Sequence, residues 1–223
     1  GFTREQQDAY AIDSLKRAQT AIADGSFKWE VAPVTVKGKA GDTEIANDEQ
    51  PPKAKLDKIP TLKPAFIKDG TITAANASSI SDGAAALVLM KASKAAALGL
   101  KPLARIVAHA EHAQEPAWFA TAPAGAMKKV FTKAGWTPAE VDLYEINEAF
   151  ANVTMAAMKE FDLPRDKVNI HGGACALGHP IGASGARVLV TLLHALERRN
   201  LATGVATLCI GGGEATAMAI ERA

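Results

Sequence analysis

Residues 172–185 read GGACALGHPIGASG, a run of small residues holding a single histidine, His179, between a glycine and a proline. Glycine lets a backbone turn through positive φ or approach a ligand closely. Pro180 fixes its own φ and narrows the choices of the residue before it. The stretch therefore predicts a stiff turn that presents His179 in one orientation. Its flanks set the fold class. VNI (168–170) comes before it as a brief strand, and GASGARVLVTLLHALERRN (182–200) continues it as a strongly apolar helix.

The same alternation extends outward. LARIVAHAEHA (103–113) and VDLYEIN (141–147) read as strands, with PAGAMKKVFTKAGW (123–136) and EAFANVTMAAMKEF (148–161) as helices. GVATLCIGGGEATAMAIERA (204–223) reads as two apolar strands about a glycine turn. Strand–helix alternation predicts an α/β domain whose helices cover a mostly buried sheet. Upstream, residues 3–25 predict a helix with Thr3 as N-cap, Gln6 in capping-box position and Gly25 at its end. WEVAPVTVKG (29–38) alternates like a strand through Val31, Val34 and Val36. Residues 38–64 are a polar, irregular excursion, longer than most connections. TITAANASSISDGAAALVLM (71–90) ends in an apolar run of helical or extended type, and SKAAALGLKP (93–102) predicts a helix closed by Gly99.

A chain of 223 residues can bury a substantial core. With 25 basic and 24 acidic residues the net charge is +1, so no strong field draws the chain to nucleic acid or to a membrane surface. No apolar run approaches the ~18 residues of a membrane span. The opening GFTREQQDAY is not a signal peptide. Two cysteines, Cys175 and Cys209, make neither a zinc site nor a disulfide framework, and suit a reducing, cytoplasmic setting. A helix in full stride behind Gly1 reads as the later part of something longer.

Three candidates for chemistry fall just past strand ends, where open α/β sheets present ligand sites. A neutral His179 imidazole near a helix N-terminus could donate to a developing oxyanion; the plain alternative is a helix cap. Cys209 could be a buried hydrophobe. The glycines after it instead expose N–H groups beside a thiol that could act as base or nucleophile. Asn147 and Glu148 could cap the helix that follows, or the Asn147 amide could fix a water or a carbonyl. Cys175, His109, His112, His171 and His194 are left as packing or surface residues. The glycine stretch is neither a Walker motif nor a dinucleotide fingerprint.

Taken in order, NEAFA (147–151), GGACALGHPIGASG and CIGGGEA (209–215) closely resemble the thiolases, the acetyl-CoA acetyltransferases and 3-ketoacyl-CoA thiolases. The likeness continues upstream through DEQPPKAKLDKIPTLKPAF (48–66), TAANASSISDGAAAL (73–87) and WFATAP (118–123), so it covers essentially the whole chain. The resemblance implies a layered αβα fold with a mixed sheet. It assigns residues 1–80 to a remnant of a CoA-binding loop domain, 81–100 to the tail of an N-terminal domain and 101–223 to a C-terminal domain. It also implies transfer of an acetyl or acyl group between acyl-CoA and coenzyme A.

By position, the resemblance has His179 polarise the thioester carbonyl and assist the nucleophile, and makes Cys209 the acid/base at the α-carbon. Asn147 would hold a water for one oxyanion hole, and the Gly211 N–H would serve a second. Lys58 and Ser78 would contact coenzyme A and Phe119 would line the acyl pocket. Coenzyme A enters as substrate, with no other cofactor and no metal, in a homo-oligomer, tetramer or dimer. One departure matters: the family's second, nucleophilic cysteine belongs to an N-terminal half, and neither cysteine here fits it. The chain thus reads as a C-terminal portion, inactive alone. A non-catalytic thiolase-like acyl-CoA or lipid binder is the alternative, against which His179, Cys209 and Asn147 argue. A condensing enzyme of the same fold is disfavoured by Cys209.

Overall fold

The computed structural model describes residues 1–223. From the N-terminus come α1 (Arg4–Ala23), the short strands β1 (Val34–Val36) and β2 (Thr43–Ile45), a single-turn α2 (Gln50–Lys53) and, after a long irregular segment, α3 (Ala92–Ala97). Then follow β3 (Ala104–Ala113), α4 (Ala122–Ala134), β4 (Leu143–Ile146), α5 (Ala151–Phe161), the four-residue α6 (Ala174–Leu177), α7 (Ser184–Arg199), β5 (Thr203–Ile210) and β6 (Glu214–Arg222).

The main sheet has the order β3-β6-β5-β4, with β4 and β5 parallel and the other pairs antiparallel. It is the mixed sheet of an αβα sandwich, and the alternation of its side chains makes the two layers. Tyr144, Val205 and Ala219 face α4 and α5, in a core with Met127, Val130 and Phe131. Their strand neighbours Leu143, Ala206 and Ile220 face the other way, against Val188, Leu192 and Leu196 of α7. A period of two along each strand therefore feeds two helical layers. A third cluster joins Leu15 and Ala18 of α1 to Ile59 and Ala176, tying the N-terminal segment beneath the glycine stretch.

Local signals work where they are self-contained. Thr3 and Gln6 form the reciprocal capping box at α1, and Gly25 takes up φ 75° beyond its end. Gly99 and Gly135 follow α3 and α4 with φ of 66° and 71°.

Other expectations need correction. VNI forms no strand, only isolated bridges from Val168 to Tyr144 and from Ile170 to Gly172. Asn169 sits between them at φ 44°, its side chain accepting from the Ile146 N–H and donating to the Ile146 carbonyl. That left-handed residue breaks an extended ladder. The run ending at Met90 has no regular structure over residues 82–91, and Val88 and Leu89 are exposed because no strand of the chain lies beside them. The predicted strand 29–38 shortens to β1, paired only with β2 in an exposed two-stranded ribbon. The irregular excursion contains β2, α2 and a 3-10 segment, Leu56–Thr61.

Candidate active site

His179 is held from three sides. Its backbone N–H donates to the Ser79 carbonyl at 2.9 Å. Its Nδ1 lies 2.6 Å from Ser184 Oγ, and that hydroxyl donates to the Pro180 carbonyl at 3.1 Å. A hydroxyl proton spent on Pro180 leaves Ser184 to accept, so Nδ1 carries the ring proton and Nε2 keeps its lone pair. Nε2 stands 3.5 Å from Nδ2 of Asn147. Burial, with Arg187 second, lowers the pKa of His179. The neutral ring expected from the sequence is thus favoured, chiefly by desolvation. Ser184 escaped the sequence reading, although a hydroxyl in the first helical turn after GHPIGA was the available signal.

The glycines of the stretch serve its own packing more than a ligand. A Cβ on Gly178, at φ 87°, would collide with Ser81, and one on Gly173 with the Glu148 carboxylate. Gly182, Gly185 and Gly211 face open space and leave room for another molecule. An open cleft of about 430 Å³ runs between residues 81–85 and Pro180–Ala183. Neither His179 nor Cys209 lines it.

Asn147 and Cys209 come together through the parallel strands β4 and β5. The Asn147 N–H donates to the Thr207 carbonyl at 3.0 Å, two residues before Cys209. Asn147 is buried and does not cap a helix; α5 begins after Phe150. With its Nδ2 toward His179, its Oδ1 is buried and accepts from no group of the chain. Cys209 is buried at the end of β5, which pushes its thiol up to about 11. The turn beyond it exposes the Gly211 N–H, which has no partner in the chain. Direct contact therefore joins His179 to Asn147, and the sheet joins Asn147 to the strand end of Cys209.

Glu148 is the residue the sequence undervalued. It is fully buried and accepts from Tyr10 (2.9 Å), Ser14 (2.7 Å), Asn169 (2.9 Å) and the Cys175 N–H (3.1 Å). It pins α1 and the glycine stretch to the end of β4, and burial beside it pushes the Cys175 thiol well up. Cys175 is thus a packing residue, as its sequence context suggests.

Ser78 donates to the Ala149 carbonyl (2.9 Å), beside Asn147. Phe119 and Phe66 both meet Phe150 edge-on, at 6.0 and 6.2 Å. Lys58 stands apart, exposed on the 3-10 segment. Gln114 links the aromatic turn to the glycine turn. Its N–H donates to the Gly213 carbonyl (3.0 Å), and its side chain donates to Trp118 O (2.6 Å) and Thr121 Oγ1 (2.8 Å). No group of three or more His, Cys, Asp or Glu is placed to hold a metal ion.

Two family models match this chain: "Thiolase, N-terminal domain" over residues 1–93 and "Thiolase, C-terminal domain" over residues 100–222. The chain belongs to the thiolase family. A probable acetyl-CoA acetyltransferase of Dictyostelium discoideum is 51% identical to this thiolase chain over 222 residues, 99% of the chain and 54% of the relative. The cytosolic acetyl-CoA acetyltransferase of Mus musculus is 51% identical over 223 residues, 99% of the chain and 56% of the relative. The crystal structure of the Bacillus anthracis acetyl-CoA acetyltransferase superposes with a TM-score of 0.96 at 45% identity, covering all of this chain and 57% of that one. Human mitochondrial 3-ketoacyl-CoA thiolase gives 0.92 at 36% identity, with 100% and 56% covered. The chain thus spans little more than half the length of these thiolases. The N-terminal match runs across residues 1–80 and on to residue 93, short of the expected boundary at 100.

Proposed function

We propose that this chain supplies the acid/base part of a thiolase site, which moves an acetyl or longer acyl group between acyl-CoA and coenzyme A. The observation that supports it best is the His179–Ser184–Asn147 network lying against the strand end that carries Cys209, in a chain of this family. The acyl-accepting cysteine comes from sequence outside these 223 residues, so the chain alone does not turn over.

In the cleavage direction His179 Nε2 takes the proton of that cysteine, whose thiolate attacks the 3-keto carbon. The Cα–Cβ bond breaks, and the electron pair forms the enolate of acetyl-CoA, which is protonated by the Cys209 thiol. A thiol held near 11 is a weak acid but a correspondingly strong base once ionised, as the reverse α-proton abstraction needs. Coenzyme A then displaces the acyl group. Asn147, through a bound water, and His179 stabilise one oxyanion, and the Gly211 N–H stabilises the other. Lys58 and Ser78 hold coenzyme A, the substrate, and Phe119 faces the acyl group. No further cofactor is required, and the whole protein works as a homo-oligomer.

The test uses acetoacetyl-CoA thiolysis and solvent-hydrogen exchange at C2 of acetyl-CoA. The 223-residue chain shows no thiolysis, whereas a longer chain that includes the acyl-accepting cysteine does. In that longer chain Cys209→Ser abolishes exchange but leaves acylation. Turnover by the 223-residue chain, or exchange surviving Cys209→Ser, overturns the assignment.

A further inference from the structure

We propose a second binding site, for a phosphomonoester-type anion, in the cavity between the C-terminal ends of α1 and α7. It is independent of the catalytic reading. α7 starts beside His179, and its 16 residues carry its far end ~24 Å away. There a cavity of about 290 Å³, just under the usual size of small-ligand clefts, is lined by Lys16, Arg17, Thr20, Arg198, Arg199 and His171, with Asp24, held by Ser26, and an apolar wall from Ala21 and Ile170.

Charge in this cavity is unbalanced. Arg17 pairs with Asp13 at 2.8 Å. Arg198 reaches Asp24 only at 3.8 Å, and neither Lys16 nor Arg199 has a carboxylate within 4.0 Å. With Arg17 set aside, three cations face Asp24 and about half a negative charge from each of the two helix ends. Positive charge is left over, in a chain whose net charge is only +1.

His171 gives the second argument. Its ring meets Phe27 edge-on at 5.8 Å and makes no hydrogen bond. Burial first, then Arg199 and Arg198, push its pKa down to about 4, against the pull of Asp24. An anion would supply an acceptor for this ring and neutralise the guanidinium groups that add to burial in holding it uncharged. Lys16 brings a point charge and Arg199 a planar fork of donors, and the Thr20 hydroxyl lies on the rim. That is a set of groups suited to phosphate oxygens. The site also adjoins the catalytic loop, since Gly172, the next residue, packs on the α1 backbone at Ser14 and Ala18.

The test titrates inorganic phosphate, and separately adenosine monophosphate, into the 223-residue chain while the His171 ring is followed by proton–nitrogen NMR. Saturable shifts are expected, with the His171 pKa rising from about 4 by about one unit or more. Lys16→Glu and Arg199→Glu, both at exposed positions, should each weaken binding about tenfold or more, and Lys128→Glu on exposed α4 surface should not. Tighter binding of adenosine monophosphate assigns an esterified ligand and equal binding the free ion; both support the site. Shifts that follow ionic strength without saturating, or persist unchanged in Arg199→Glu, overturn it.

Discussion

Cys209 is a thiol that burial has turned into a weak acid, with a pKa of about 11. Raising a thiol pKa lowers the thiolate present at neutral pH, and the thiolate is the form that reacts. Against a free cysteine near 8.5, Cys209 should hold roughly three-hundredfold less thiolate at pH 7 and react with iodoacetamide correspondingly more slowly. Its rate should still be climbing about tenfold per pH unit up to pH 9. Peptide mapping separates it from Cys175; alkylation of Cys209 at the free-cysteine rate would contradict the burial argument. At this scale the sequence was informative where a residue carries its own signature. His179 stands out through its Gly–Pro clamp, and Cys209 through its glycines. Glu148 did not, because its partners Tyr10 and Ser14 lie 138 and 134 residues away in sequence. No local pattern encodes such a meeting.

Among the elements, α7 shows how far patterning reaches. Its apolar stripe, Val188, Leu192, Ala195 and Leu196, was legible as a helix face, and that face closes one side of the sheet. Leu192 is fully buried, and its side chain fills the space over Gly204, where any Cβ would meet it at 2.9 Å. Leu192→Ala should therefore lower unfolding free energy by about 2–5 kcal/mol, read from urea denaturation. Exposed Lys128→Ala should stay within about 0.5 kcal/mol; a Leu192 variant as mild as that would mean the layer is loosely packed. Misread elements share one cause, dependence on partners that a linear pattern does not display. VNI is strand-like in composition, but Asn169 spends its side chain on the backbone of β4 and turns the chain. The run at 83–90 has strand composition without a neighbouring strand.

For the whole molecule, the charge balance conceals buried acids. Burial raises Glu145 to about 8, despite Arg187 at 3.2 Å, and raises Glu30 to about 7. Between pH 6.5 and 8 the folded state keeps protons on these groups that the unfolded chain has already released. Stability should therefore fall as pH rises through that window. Below 6.5 the sign reverses for histidine. His171, lowered to about 4, and His179, also lowered, stay neutral in the folded state while the unfolded chain takes up protons, which offsets the carboxyl effect down to about pH 4.5. Urea midpoints should fall from pH 6.5 to 8, more steeply than between pH 4.5 and 6.5 where the histidines offset the carboxyls, and Glu145→Gln should flatten the alkaline limb. A midpoint that rose steadily to pH 8 would show that the two carboxyls ionise normally. The αβα layering was legible because strands and helices alternate in period. The depth of Glu145 was not, since an acid in the strand LYEI looks the same whether it faces water or α7.

Gln114 binds two loops with one residue, its backbone on the Gly213 turn and its amide on the Trp118 turn. Remodelling the aromatic turn for a bulkier guest would tug on the wall beside Cys209. On the proposed function, breadth of substrate and fidelity of chemistry are thereby mechanically geared, and an engineer seeking one would have to re-tension the other.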